Sequence, residues 1–213
     1  MNAMTKSTLR AEQKRRTRRS LIDSARSLFV ARGYSTVTVD DITREVGCSR
    51  ATFYLHFTGK MDVLAKISTE TMEERAASVY RDLDVALTDG SREAFTGWIR
   101  HALDWFSTNR DILPAWDEAL AVEPEFQAIG RASITALSDA MPGYLSRWPE
   151  SRRAEARFRI ELLVTQLERY FMRSHIQGTI EFSPEQAADV LSDIWFPALA
   201  PPDKSDAPVS PPG

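Results

Sequence analysis

Residues 38–57, TVDDITREVGCSRATFYLHF, constrain the fold more than any other stretch of the chain. Thr38 followed three residues later by Asp41 is a capping-box variant that can open a helix, with Ile42 and Val46 on its inner face. Gly47 stops that helix after barely two turns, because a glycine takes the left-handed conformation at little cost. Ser49 can cap a second short helix, on which Phe53 and Phe57 share a face at a spacing of four. Two short helices hinged on Gly47-Cys48-Ser49 make a helix-turn-helix, whose second helix carries Ser49, Arg50, Thr52 and Tyr54 outward.

The flanking sequence is consistent with that motif. Upstream, Leu21, Ile22, Ala25, Leu28 and Phe29 fall on one helical face from Thr17 onward, and Gly33 follows as a stop. Residues 1–15 are polar and basic, and read as a flexible segment. Residues 1–60 carry 12 Lys and Arg against 5 Asp and Glu, whereas the net charge of the whole chain is -3. A basic first quarter on an acidic body suggests that one end meets a polyanion.

Beyond Lys60 the pattern stays helical. Met61, Leu64, Ile67, Met72, Ala76, Val79, Leu83 and Leu87 recur at helical spacing until Asp89-Gly90 breaks the run. Further helices are predicted at 91–108, 110–121, 124–140, 151–177 and 184–196, and no alternating strand pattern occurs. Six of the eleven prolines lie in 197–213, so the end of the chain reads as a disordered tail. The expected fold class is therefore all-α. The expected domains are a flexible basic segment at 1–15, a three-helix domain at 16–60, a larger helical domain at 61–199 and a Pro-rich tail at 200–213.

No apolar run is long enough for a membrane span, and the N-terminus has no apolar core behind its charges, so no membrane partner is expected and the cytoplasm is the default location. With one cysteine, Cys48, no internal disulfide can form. His56, His101 and His175 lie on separate helices without metal-type spacing, and neither HExxH nor GxSxG occurs. An enzyme, or a helical protein-interaction module keeping a helix-turn-helix-like domain, are the competing readings. No cofactor is expected.

Residues 17–64 resemble the DNA-binding domain of the tetracycline-repressor (TetR/AcrR) family of transcriptional regulators. The resemblance rests on Ala25-Arg26-x-Leu28-Phe29, Gly33-Tyr34, Thr38-Val39-x-x-Ile42, Gly47-Cys48-Ser49, Thr52-Phe53-Tyr54-x-His56-Phe57, Lys60 and Leu64. It implies a dimeric, ligand-responsive regulator, most often a repressor, released from a palindromic operator in double-stranded DNA by a small effector. Position by position, it implies that Thr38, Tyr54, His56 and Lys60 bind phosphates. Ser49, Arg50 and Thr52 would face bases, with Arg50 suited to guanine and the Ala51 methyl to a thymine methyl. Arg18 and Arg19 could add phosphate or minor-groove contacts. Cys48 stands where an aliphatic residue is usual, and packing is its expected role.

In the second domain an aromatic cluster suggests a largely apolar effector. Trp98, Phe106, Trp116, Phe126 and Ile129 are the expected pocket lining, and His101, Gln166, Asp104, Glu118, Gln127 and Arg131 the candidate polar contacts. The helix at 151–177 has two apolar faces, one with Leu163, Leu167 and Phe171, the other with Phe158 and Leu162. With Val190, Leu191, Ile194 and Trp195 on the last helix, the first of these faces is the expected homodimer interface.

Overall fold

The computed structural model describes residues 2–73, 76–181 and 183–202. Among them are eleven α-helices: α1 (Asn2–Arg32), α2 (Val39–Val46), α3 (Arg50–Tyr54), α4 (Lys60–Glu73), α5 (Ala76–Asp89), α6 (Arg92–Thr108), α7 (Leu113–Val122), α8 (Pro124–Asp139), α9 (Pro142–Ser146), α10 (Arg153–Phe171) and α11 (Pro184–Ala198). A 3-10 turn (Glu150–Arg152) leads into α10, and a π-helical turn (Met172–Ile176) follows it. No strand occurs among the described residues, so the chain is all-α as expected.

Three local expectations change. Residues 2–15 belong to α1 instead of forming a loose segment. The run from Thr8 to Arg16 contains no Gly or Pro and is rich in Ala, Glu, Gln, Lys and Arg, so nothing in it stops a helix from extending backward from Thr17. The helix at 110–121 starts later, at Leu113. The short helix α9 was not foreseen. The Pro-rich tail beyond residue 202 lies outside the described residues.

The helices form two compact units. The first gathers the described residues up to Glu73 together with Asn109–Ala132; the second gathers Ala76–Thr108 and the described residues from Ser133 onward. The division falls elsewhere than the expected boundary after residue 60, because α4, α7 and the start of α8 share the first unit's core.

That core is built on the predicted face of α1. Leu21, Ile22, Ala25 and Phe29 are buried with Ile42 of α2, Phe53 of α3, Phe57, and Val63, Leu64 and Ile67 of α4. Ile112, Ala115, Ala119 and Phe126 complete it, while Trp116 and Ile129 pack against its edge.

In the second unit α6 is central, packed against α5, α10 and α11. It buries Phe95, Trp98, Ile99, Ala102 and Leu103. Phe95 and Trp98 stack at 5.9 Å between ring centroids. The hydroxyl of Thr96 meets that of Ser192 in α11 at 2.8 Å, so the two buried polar groups satisfy each other. Helix α9 has no side-chain cap of its own. Its Gly143 and Tyr144 amides instead donate to the Asp84 carboxylate of α5, at 3.0 and 2.6 Å. A side chain at Gly143 would press on the Thr88 hydroxyl and the Asp84 carboxylate, so glycine lets the Asp84 cap approach closely.

Candidate nucleic-acid interface

The hinge forms as the sequence predicts. The Thr38 hydroxyl accepts from the Asp41 amide at 3.2 Å, and the Thr38 amide donates back to the Asp41 carboxylate at 3.0 Å, completing a capping box. The bonds from Thr38 hold the Asp41 carboxyl far below the usual carboxylate range, with Arg32 adding to the effect. Gly47 closes α2 in the left-handed conformation at φ 73°, its amide reaching the Arg44 carbonyl at 3.2 Å. Cys48 packs against the core, and burial raises its thiol pKa, away from the reactive thiolate form.

Helix α3 buries Phe53 and turns its other side chains out. Ser49 caps it by accepting from the Thr52 amide at 3.1 Å, and its hydroxyl also meets that of Thr52 at 3.0 Å. Ala51 and Tyr54 are exposed. Arg50 projects from the first turn and reaches the Asp40 carboxylate at 3.3 Å, a surface pair that costs little to exchange for a base edge. Leu55, directly after α3, is an exposed large apolar side chain that sequence reading passed over; its position between the buried Phe53 and Phe57 is the signal that places it outside.

Two cations expected on phosphates are otherwise engaged. The Lys60 ammonium donates to the carbonyls of Tyr34 (2.7 Å), Val37 (2.9 Å) and Ser35 (3.3 Å) and lies 4.2 Å from the centre of the Tyr34 ring. Its three N–H donors match three carbonyls, so it clamps the α1–α2 connection. The backbone loop of 34–37, which exposes carbonyls toward the start of α4, is the physical reason for that arrangement. Arg19 is drawn aside by Asp23 at 3.0 Å and Glu70 at 3.4 Å. The same connection is held from its other side by α7 and its C-cap: the Ser35 amide donates to Glu118 at 2.8 Å, and the Tyr34 hydroxyl to Glu123 at 2.6 Å.

Arg18 keeps its guanidinium over the Phe57 ring, 4.4 Å from the centroid. His56 lies beside it. Burial lowers the His56 pKa, and the positive charges of Lys14 and Arg18 lower it further. His56 Nδ1 is buried without a hydrogen-bond partner.

The expected effector lining is divided. Trp116, Phe126 and Ile129 belong to the core of the first unit, whose apolar surface they complete. Trp98 is a core residue of the second, its indole N–H donating to the Val79 carbonyl at 2.7 Å. His101 and Asp104 are exposed, Gln166 accepts from the Trp195 indole, and Gln127 donates to the Leu120 carbonyl at 2.8 Å. Phe106 is half-buried and stacks on Phe171 at 5.6 Å, and His175 also stacks on Phe171, at 4.5 Å.

The expected dimer face is corrected by one face of each helix. Leu163, Leu167, Phe171 and Leu191 are buried in the second unit's own core, because α6 lies against that side of α10 and α11. The outward residues are Phe158 (58% exposed) and Leu162 (43%) on α10, with Val190 (48%) and Ile194 (52%) on α11. Trp195 is half-buried beside them. Among the described residues no helix is long and apolar enough to cross a membrane.

Comparison with known proteins places the first unit. Residues 21–67 match the family described as bacterial regulatory proteins, tetR family. The HTH-type transcriptional regulator SrpR of Pseudomonas putida is 42% identical over 57 residues, a stretch covering 27% of this chain and 27% of SrpR. The aligned stretch is thus well under two thirds of that relative's length. Two solved structures resemble the fold over most of the chain. The fatty acid degradation regulator FadR from Bacillus halodurans has a TM-score of 0.61 at 16% identity, over 86% of this chain and 96% of that one. A complex of SmeT with triclosan has a TM-score of 0.58 at 17% identity, over 91% and 99%. The capped, glycine-hinged helix pair and its buried aromatic anchor lie within residues 21–67, the stretch that matches the tetR family of bacterial regulatory proteins.

Proposed function

We propose that the protein is a dimeric DNA-binding transcriptional regulator, a repressor that a small effector releases from a palindromic operator. The observation that carries this reading is the outer face of α3. A five-residue helix held by its own cap and by one buried aromatic presents Arg50, Ala51 and Tyr54 to solvent, with Ser49 and Thr52 alongside. A major groove admits such a helix, and its first turn reaches base edges. Arg50 is the base reader for guanine; Tyr54, His56, Arg18 and the Thr38 end of α2 meet phosphates.

The outward stripe of Phe158, Leu162, Val190 and Ile194 pairs with its copy about a two-fold axis, so that two recognition helices read two half-sites. The effector binds in the second unit beside Phe171 and the two rings that stack on it, Phe106 and His175. The SmeT–triclosan complex gives this reading a neighbour of the same fold with triclosan bound. Release follows if the effector prefers the arrangement in which the recognition helices are wrongly spaced.

The test is selection of bound sequences from random duplex DNA, followed by sedimentation of the free and DNA-bound protein. A recovered inverted repeat bound by a dimer supports the proposal. Recovery of no common sequence, or of a folded monomer at micromolar concentration, sinks it.

A further inference from the structure

Helix α1 is about twice as long as its role in the core needs. Its first core residue is Leu21, and every described side chain from Thr8 to Arg16 is exposed. This stretch carries Arg10, Lys14, Arg15 and Arg16 against a single acid, Glu12. None of these four cations enters an ion pair among the described residues, in contrast to Arg19, Arg26 and Arg32, which reach Asp23, Asp111 and Asp41.

The charges are not evenly spread around the helix. Arg10, Lys14 and Arg18 stand at successive spacings of four and form one row, while Glu12 falls on the opposite side and Arg15 and Arg16 lie off the row. The inner end of the row is fixed by contact. Arg18 covers Phe57, and Lys14 with Arg18 lies close enough to His56 to oppose its protonation. The row therefore begins at the end of the recognition helix and runs away from the folded unit. From Arg18 to Arg10 it spans about 12 Å at ~1.5 Å per residue. That matches the axial run of three or four phosphates of one DNA strand at about 3.4 Å each.

We propose that the N-terminal arm of α1 is a second DNA-contact element, in which Arg10 and Lys14 continue the phosphate-binding row of His56 and Arg18 onto the backbone outside the half-site. This rests on the DNA-binding reading above. Charge complementarity selects the occupant. Between Thr8 and Arg16 the only large apolar residue is Leu9, so the arm has no apolar face to bury in a lipid surface. Contacts of this kind position the protein and carry no sequence information.

The experiment compares two double variants of the full chain on the operator selected above: Arg10→Gln with Lys14→Gln, on the row, and Arg15→Gln with Arg16→Gln, off it. Both remove the same charge, and glutamine preserves helix propensity; circular dichroism checks that α1 is intact. The on-row variant is expected to bind about ten-fold or more weakly near physiological salt, with the salt slope lower by about 0.9 per lost contact. Its hydroxyl-radical footprint is expected to lose protection outside the half-site and keep it within. The off-row variant is expected to keep the parent's footprint and most of its slope. An on-row variant with the parent's slope and footprint overturns the proposal, as does an equal loss in both variants, which would mean only a diffuse charge effect. Row-dependent binding to anionic vesicles with an unchanged DNA footprint also overturns it. A parent that protects no duplex at all brings down the DNA-binding reading itself, and is thereby told apart from failure of the arm alone.

Discussion

Helices α2 and α3 of the first unit and α9 and α10 of the second are specified by different means. In the first, α2 and α3 have eight and five residues, yet each begins on a side-chain cap, Thr38 with Asp41 and Ser49 with Thr52, and a left-handed glycine separates them. In the second, α9 and α10 begin without any side-chain cap hydrogen bond of their own and rest on buried aromatic and aliphatic side chains such as Tyr144, Trp148, Ile160 and Leu163. Short helices are unstable alone, so α2 and α3 need local termination signals. Signals within four residues of their target can be read from sequence; packing partners fifty residues away cannot.

The sharpest way to break this comparison is to charge two positions of α11 that are three residues apart. Leu191→Asp puts an unpaired carboxylate in the second unit's core and is expected to cost about 4 kcal/mol or more. Ile194→Asp charges the outward stripe and is expected to leave a folded chain that sediments as a monomer. Equal losses of melting temperature in both variants would remove Ile194 from any interface.

Lys60→Met tests whether a polar clamp is as decisive in the first unit as packing is in the second. Three carbonyls lose their donor, so a loss of about 1–3 kcal/mol is expected in denaturant unfolding. The salt slope of DNA binding per folded molecule is expected to stay at the parental value. A slope lower by about 0.9 would return Lys60 to the phosphate backbone.

Arg50→Ala leaves folding alone and addresses reading. Its expected cost is about 1–3 kcal/mol in specific binding, with preference relaxed at one position per half-site. Repeating the sequence selection with the variant checks this, and an unchanged preference would exclude Arg50 from base readout.

The smallest expected effect is on pH. In the free protein burial, with Lys14 and Arg18, holds His56 below its ordinary pKa, so acid works against the free folded state there. A phosphate against the ring would raise that pKa, so DNA binding takes up a proton and affinity rises as pH falls from neutral into the mildly acid range. Titration of operator binding from neutral to mildly acid pH is expected to show a gain below about ten-fold. His56→Gln is expected to flatten it.

Legibility followed the same division. The capping box at Thr38, the Gly47 hinge, the Ser49 cap and the buried Phe53 were all readable because each depends on neighbours in the chain. The outward direction of Arg50 followed from the inward direction of Phe53. The task of Lys60 was not readable, since it depends on where the backbone of residues 34–37 aims its carbonyls. In the second unit the helices other than α9 were readable from their periodicity, but not the choice between two apolar faces of α10. That choice depends on which side α6 occupies. Trp116 and Phe126 look like pocket residues in sequence because an aromatic at helical spacing does not reveal which core it joins.

The Asp84 contact carries a consequence for the order in which this chain folds. A five-residue helix without its own cap has no stability alone, and α9 receives its cap from a residue about sixty positions earlier. Helix α5 must therefore be wound before α9 has a cap to receive, and the stretch of chain between them, which holds α6 to α8, must first bring the two together. Asp84→Ala should accordingly leave the early steps of folding untouched and speed unfolding, placing α9 among the last elements to form and the first to open.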